Sequence, residues 1–304
     1  MSIFPTKVLL ATDGSREADL AAETAVGLAQ KAGSELHVVH VLFWASESAL
    51  DPEGFDPAVR EEVRGRARER LEELVGKVEA SGGAVEGSHL RVGRPGAEIV
   101  SQAEEIGAGL VVMGSRGFGR IRRGLTGSVS DSVVRHAHCP VMVVRGEPTV
   151  FPTKILLAAD GSEEANLASS TASDLAKGTD SELHVVYVEP ASYVFEMADW
   201  EASSADLPEE LDRASERLAE SRLEAQVQKV AEAGARIAGT HARVGFPDAE
   251  VVGLAGKLGA GLIVMGSRGQ GPLKRALMGS VSDSVVRHAH CPLMVVRRAE
   301  ERPT

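Results

Sequence analysis

Leu110-Val-Val-Met-Gly-Ser-Arg-Gly117 is followed by nine residues and then by Gly127-Ser-Val-Ser-Asp-Ser-Val-Val-Arg-His-Ala-His-Cys-Pro140. The second block returns letter for letter as Gly279 to Pro292, behind Leu262-Ile-Val-Met-Gly-Ser-Arg-Gly269 and the same nine-residue spacing. A short apolar run closed by glycine reads as a buried parallel strand, and Gly127-Ser128 reads as a helix start. Strand, glycine loop and helix, twice over, make the chain a tandem duplication of an α/β domain.

Working outward, Phe4-Pro-Thr-Lys7 returns as Phe151-Pro-Thr-Lys154, and Ser34-Glu-Leu-His-Val-Val39 as Ser181 to Val186, both at an offset of 147. Arg91-Val-Gly93 returns as Arg243-Val-Gly245 at an offset of 152, so the second copy carries five extra residues between about 40 and 90 of the first frame. The 304 residues divide into domains 1–147 and 148–304, each long enough for its own core. The net charge of -11 argues against a nucleic-acid partner. Two cysteines, Cys139 and Cys291, sit at equivalent places, cannot staple either domain internally and suit a reducing cytoplasm. No charged-then-apolar stretch opens the sequence, so no signal segment is expected, and no apolar run reaches membrane-spanning length. The expectation is a cytoplasmic protein without nucleic-acid or membrane partners.

Strands are expected at 7–12, 36–43, 84–92, 110–113 and 141–144, alternating with helices at about 16–32, 57–81, 95–106 and 128–137. The second copy repeats the strands near 154–159, 182–188, 236–244, 262–265 and 293–296. Such alternation means parallel sheets. The stretches 44–56 and 189–207 differ between copies and read as irregular surface loops or lids, and 145–153 reads as a stiff, proline-containing linker.

The glycine spacing carries chemistry. Gly114 ends a strand, where a tight turn favours positive φ, and Gly117 lets backbone approach a ligand without a Cβ in the way. The helix opened by Gly127-Ser128 presents amides with no intrahelical partner, a natural anion site to which Ser128 and Ser130 add hydroxyls. In open α/β sheets such loops lie at the carboxyl ends of strands, where ligands bind. A bare G-x-x-G usually only breaks the chain. This longer frame sits between strand and helix and occurs twice, while the copies diverge freely at 44–56, so the phosphate-site reading is preferred.

Each half resembles the universal stress protein family, in its ATP-binding subgroup. The resemblance rests on Asp13-Gly-Ser15, His40-Val41, Met113-Gly-Ser-Arg-Gly117, and Gly127-Ser-Val-Ser130 through Cys139-Pro140-Val-Met-Val-Val144, and covers nearly the whole chain. It implies a five-stranded parallel sheet in the order 3-2-1-4-5 with ATP, with or without magnesium, near strands 1 and 4. By the resemblance, Asp13 and Val41 border ribose and adenine, Gly114 and Gly117 line the ribose and phosphate side, Gly127, Ser128, Val129 and Ser130 hold phosphates, and Met113 and Arg116 are counted among the nucleotide-binding residues. The second site would comprise Asp160, Val188, Met265, Gly266, Arg268, Gly269, Gly279, Ser280, Val281 and Ser282. Thr12 becomes Ala159, and Phe118-Gly-Arg-Ile-Arg-Arg123 becomes Gln270-Gly-Pro-Leu-Lys-Arg275, so the two sites are expected to differ in affinity. The family also implies pairing through the last strand, giving an intrachain pseudo-dimer and leaving open a homodimer.

Other candidates have plainer readings beside functional ones. Arg116, Arg120, Arg122, Arg123, Arg268, Lys274 and Arg275 either neutralise a polyphosphate or lie on a solvated loop. His136-x-His138-Cys139 invites a metal, but two histidines two apart at a helix end share no face, and a cationic helix terminus beside a small buried thiol is the preferred reading. Asp13 and Asp160 are caps, ligand acceptors or magnesium ligands; their place at strand ends favours a ligand role. The charged helix 57–81 covers a sheet with one face and meets water with the other, or binds a partner. No G-x-x-x-x-G-K-[ST] motif and no evident catalytic base are present. The expected function is therefore an ATP-binding stress-response regulator without catalytic residues, ahead of a slow ATPase or phosphotransferase, and ahead of an adenylating enzyme.

Overall fold

Val8, Leu9 and Leu10 are fully buried, as are Val111 and Val112. Such continuous apolar runs form strands covered on both faces. The computed structural model describes residues 6–43, 57–117, 127–146, 153–191, 207–270 and 278–297. The chain divides into two compact units, mainly Phe4–Phe151 and mainly Pro152–Arg297.

The first unit runs β1 (Lys7–Ala11), α1 (Arg16–Ala32), β2 (Glu35–Phe43), α2 (Pro57–Ala80), β3 (Val85–Gly93), α3 (Pro95–Ile106), β4 (Leu110–Gly114), α4 (Ser128–His136) and β5 (Val141–Val144). Its strands are all parallel in the order β3-β2-β1-β4-β5. The second unit runs β6 (Lys154–Ala158), α5 (Glu163–Thr179), β7 (Glu182–Pro190), α6 (Leu207–Glu232), β8 (Ile237–Gly245), α7 (Pro247–Leu258), β9 (Leu262–Gly266), α8 (Ser280–His288) and β10 (Leu293–Val296). Its order is β8-β7-β6-β9-β10, again parallel. This is the expected α/β architecture, two tandem open sheets flanked by helices. In the first unit α1 packs on α2, and α3 on α4.

The strand order fixes where a ligand can sit. The chain moves outward from β1 through β2 to β3, then returns to β4 on the other side of β1. Connections leaving β1 and β4 diverge, and a crevice opens at their carboxyl ends. Helix starts at this edge are specified locally. The Ser15 hydroxyl accepts from Ala18 N at 3.3 Å and caps α1, and Pro95 stands in the first turn of α3, where a missing N–H costs nothing.

Most strands shift by one residue at one or both ends from the expected bounds, Leu207 opens α6, and the larger difference lies at the end of β7. Glu189 and Pro190 belong to β7 rather than to an irregular stretch, because β8 runs equally far and pairs with them through Val244 and Gly245. Residues 44–56, 192–206 and the linker residues 147–152 lie outside the described residues, as do Phe118, Arg120, Arg122, Arg123, Lys274 and Arg275.

Leu156 has no exposed surface in β6. Leu156→Ala should destabilise the protein by about 2–5 kcal/mol, measured by denaturant unfolding.

Candidate functional site

A cavity of about 240 Å³ opens at the carboxyl ends of β1 and β4 in the first unit. Asp13, Val41, Met113, Gly114, Arg116, Gly117, Gly127, Ser128, Val129 and Ser130 all line it. The sequence reading had not placed Ala11, Ala18, Val39, Pro95 or Ile99 there. Pro95 and Ile99 come from α3. The only signal for them was a helix-opening proline two residues after the glycine that ends β3.

The glycines act chiefly through close approach. Gly114 is not among the glycines with positive φ. Instead, a Cβ there would lie 2.7 Å from the backbone carbon of Glu17 and 3.0 Å from Ala18 N. The end of β4 thus presses directly on the first turn of α1. A Cβ on Gly117 would strike the Asp13 carboxylate, so this glycine keeps space for Asp13 before it keeps space for any ligand.

Hydroxyls lash the loop in place. Ser15 Oγ donates to Arg116 O at 3.3 Å while it caps α1. Ser130 Oγ, buried, lies 3.1 Å from Ser115 O and 3.0 Å from Gly127 O. Its proton therefore points into the loop, and what Ser130 offers a ligand is its backbone N–H. Gly127 heads α4 with no side-chain cap. The first-turn amides of α4 are left for the cavity, together with the Ser128 hydroxyl. Asp13 Oδ1 accepts from Ser15 N at 2.9 Å, and Thr12 Oγ1 accepts from Gly14 N at 3.2 Å.

The histidine–cysteine segment assembles differently. His136 Nδ1 bonds to Ser132 O at 2.7 Å, whereas His138 Nε2 pairs with Glu104 Oε1 at 2.7 Å. Burial pushes the Cys139 thiol up to about 12, out of the reactive range.

A family model described as Universal stress protein family matches residues 5–145 and 152–297. The chain belongs to the universal stress protein family. A universal stress protein of Mycobacterium tuberculosis is 34% identical over 217 residues, which are 66% of this chain and 64% of that protein. Another from the same species is 32% identical over 229 residues, 71% of this chain and 73% of its own length. The crystal structure of a universal stress protein from Archaeoglobus fulgidus superposes with a TM-score of 0.68 at 25% identity and covers 97% of both chains.

The second unit of this universal stress protein rebuilds the frame with different bracing. Ser282 Oγ donates to Ser267 O at 2.7 Å, and Ser162 Oγ donates to Arg268 O at 3.1 Å. Gly269 again faces Asp160, and Gly266 faces the backbone of Glu164 and Ala165. Gly279 heads α8 without a side-chain cap, ahead of Ser280 and Val281. Met265 is buried in β9, and Val188 stands in β7 opposite Arg243. Ala159 lacks the Thr12 hydroxyl, but Gln270 supplies other contacts. Its backbone N donates to Asp160 Oδ2 at 3.2 Å, and its side-chain Nε2 donates to Asp160 O at 2.7 Å. Beside Val188, buried Tyr187 donates to buried Glu189 at 3.1 Å. Desolvation, reinforced by the Glu189 charge, pushes the Tyr187 phenol up to about 12. The first unit has His40 and Leu42 at these positions, and His40 Nδ1 reaches Thr12 O at 2.9 Å.

Two glycine substitutions separate packing from site. Gly114→Ala drives a Cβ into backbone and should cost about 1–3 kcal/mol. Gly117→Ala displaces only the Asp13 side chain, so thermal unfolding should change far less while ligand binding at this cavity is lost.

Proposed function

We propose that each unit binds a nucleoside triphosphate, ATP, and that occupancy sets the chain's conformation or its choice of protein partner. The observation that carries this reading is the uncapped start of α4 facing a cavity at the switch of strand order. The same chain caps α1 with Ser15, yet opens α4 on glycine and leaves its amides to a ligand. Those amides, the Ser128 hydroxyl and Arg116 suit phosphates. Val39, Val41, Pro95, Ile99 and Met113 supply an apolar wall suited to a base, and the Asp13 carboxylate suits ribose hydroxyls. The donor set therefore fits a nucleotide from end to end. Family membership supports the reading without naming the ligand.

A binding module fits better than a fast enzyme. Amides, a serine and an arginine hold a ground-state polyphosphate. Equal hold on ground and transition states gives affinity without turnover. Phosphoryl transfer needs nucleophile and developing charge held together, and the chain has no P-loop lysine motif. ATP hydrolysis should run far below ~10 s⁻¹. Phosphate release at such rates by contaminant-free protein, abolished in Ser128→Ala, would make the enzyme reading primary.

The binding reading is tested by calorimetry with ATP and by mass spectrometry of nucleotide released on denaturation. Wild type should bind two nucleotides per chain. A Cβ on Gly127 would lie 3.2 Å from Ser115 O, beside the α4 amides, so Gly127→Val should bind one. Unchanged stoichiometry in that variant would remove the assignment of the first site.

A further inference from the structure

Each unit contains a pair of facing imidazoles. His37 Nδ1 on β2 lies 3.2 Å from His89 Nε2 on β3, with ring centroids 5.5 Å apart and planes within 22°. His184 and His241 repeat this at 3.2 Å, 5.4 Å and 25° on β7 and β8. The nitrogens lie between the rings, head-on, as a hydrogen bond requires. A glycine stands against each pair: a Cβ on Gly87 would come within 2.6 Å of His37 Nδ1, and one on Gly239 equally close to His184 Nδ1.

The surroundings determine where protons sit. Glu35 Oε2, itself 3.6 Å from Lys7 Nζ of β1, lies 3.5 Å from His37 Nε2 and favours the proton on that nitrogen. His37 Nδ1 is then the acceptor and His89 Nε2 the donor. One added proton, on His89, leaves this bond intact and charge-assisted. A second removes the acceptor and sets two imidazolium rings against each other. His37 shares its strand face with Val39 and Val41, so α3 covers the pair, and α2 packs with α1 in the other layer. From β3 and α3 the charges felt by His89 are Arg91 and Glu105, which pair at 2.9 Å. In the second unit Glu182 takes the place of Glu35 at 3.6 Å from His184, with Lys154 3.8 Å from that carboxylate, and Arg243 stands beside His241. There α7 carries Lys257 where α3 carries Glu105.

We propose that His37–His89 and His184–His241 are proton-sensing pairs whose hydrogen bond outlasts a first proton although burial opposes its charge, and which a second proton would break, so that acid loosens β3 and β8 from their neighbours and disturbs the nucleotide cavity. The link to the cavity is mechanical. Arg91 sits two residues beyond His89 and grips α3 through Glu98 at 3.0 Å and Glu105 at 2.9 Å, and α3 supplies Pro95 and Ile99 to the cavity wall. This coupling rests on the nucleotide reading; proton binding itself does not.

The sign follows from the environment. Desolvation first, and then the neighbouring histidine, hold His89 and His241 below the ordinary imidazole value. Their contribution is therefore complete above about pH 6.5 and is lost as pH falls through the lowered values. Glu105 partly offsets the effect on His89, whereas Arg243 adds to it at His241.

Imidazole NMR titration of the unmodified full chain tests the pairs directly. His89 and His241 should both be mostly neutral at pH 6.5; titration of both at or above 6.5 overturns the proposal. Between pH 7.5 and 5.5 the wild-type thermal midpoint should fall by about 2–4 °C more than that of the double variant His89→Gln, His241→Gln; equal falls overturn it. ATP affinity should drop at least threefold over the same range in wild type and hold in the double variant; parallel drops overturn the coupling. No ATP binding at pH 7.5 defeats the nucleotide reading and leaves the titration result standing.

Discussion

The close approach of β4 to the first turn of α1 organises everything at the switch point. With no Cβ on Gly114, the strand end lies against the backbone of Glu17 and Ala18. That contact places Ser15, which caps α1, within reach of Arg116 O. It also brings Gly117 against Asp13, so two chain segments distant in sequence converge on one cavity. Ser130 then ties the start of α4 to the same loop through Ser115 O. A larger residue at Gly114 would separate these segments before any ligand arrived. The second unit obeys the same constraint at Gly266.

Much of this was legible in the sequence, for physical reasons. Buried parallel strands announce themselves as unbroken apolar runs, as 110–113 and 141–144 do for β4 and β5. The glycine frame marked the loop because a helix opened on Gly-Ser behind a strand presents its first amides without a Cβ or a proline in the way. What the sequence concealed was the reason for each glycine. Gly114 serves helix packing rather than a left-handed turn, and Gly117 serves Asp13. The role of α3 was hidden because Pro95 and Ile99 reach the cavity only through the tertiary fold. The extension of β7 to Pro190 was hidden because Glu and Pro read as loop residues, while the pairing with β8 overrides that preference.

The duplication preserved a frame and varied its bracing. Where the first unit steadies its turn with the Thr12 hydroxyl, the second has Ala159 and uses Gln270 against Asp160. Where the first has His40 and Leu42 at the end of β2, the second buries the Tyr187–Glu189 pair. These changes surround equivalent carboxylates, Asp13 and Asp160, without altering the glycines or the starts of α4 and α8. The imidazole pairs, by contrast, are kept in both units with nearly equal geometry, while the covering helix contributes Glu105 in one and Lys257 in the other.

The central claim is that the open amides at the starts of α4 and α8 hold phosphate. Backbone amide NMR during titration with ATP observes them individually. The account predicts large, saturable shifts at Ser128, Val129 and Ser130 and at Ser280, Val281 and Ser282, with smaller shifts for adenosine alone. Shifts confined to other segments, or equal effects from ATP and adenosine, would contradict it.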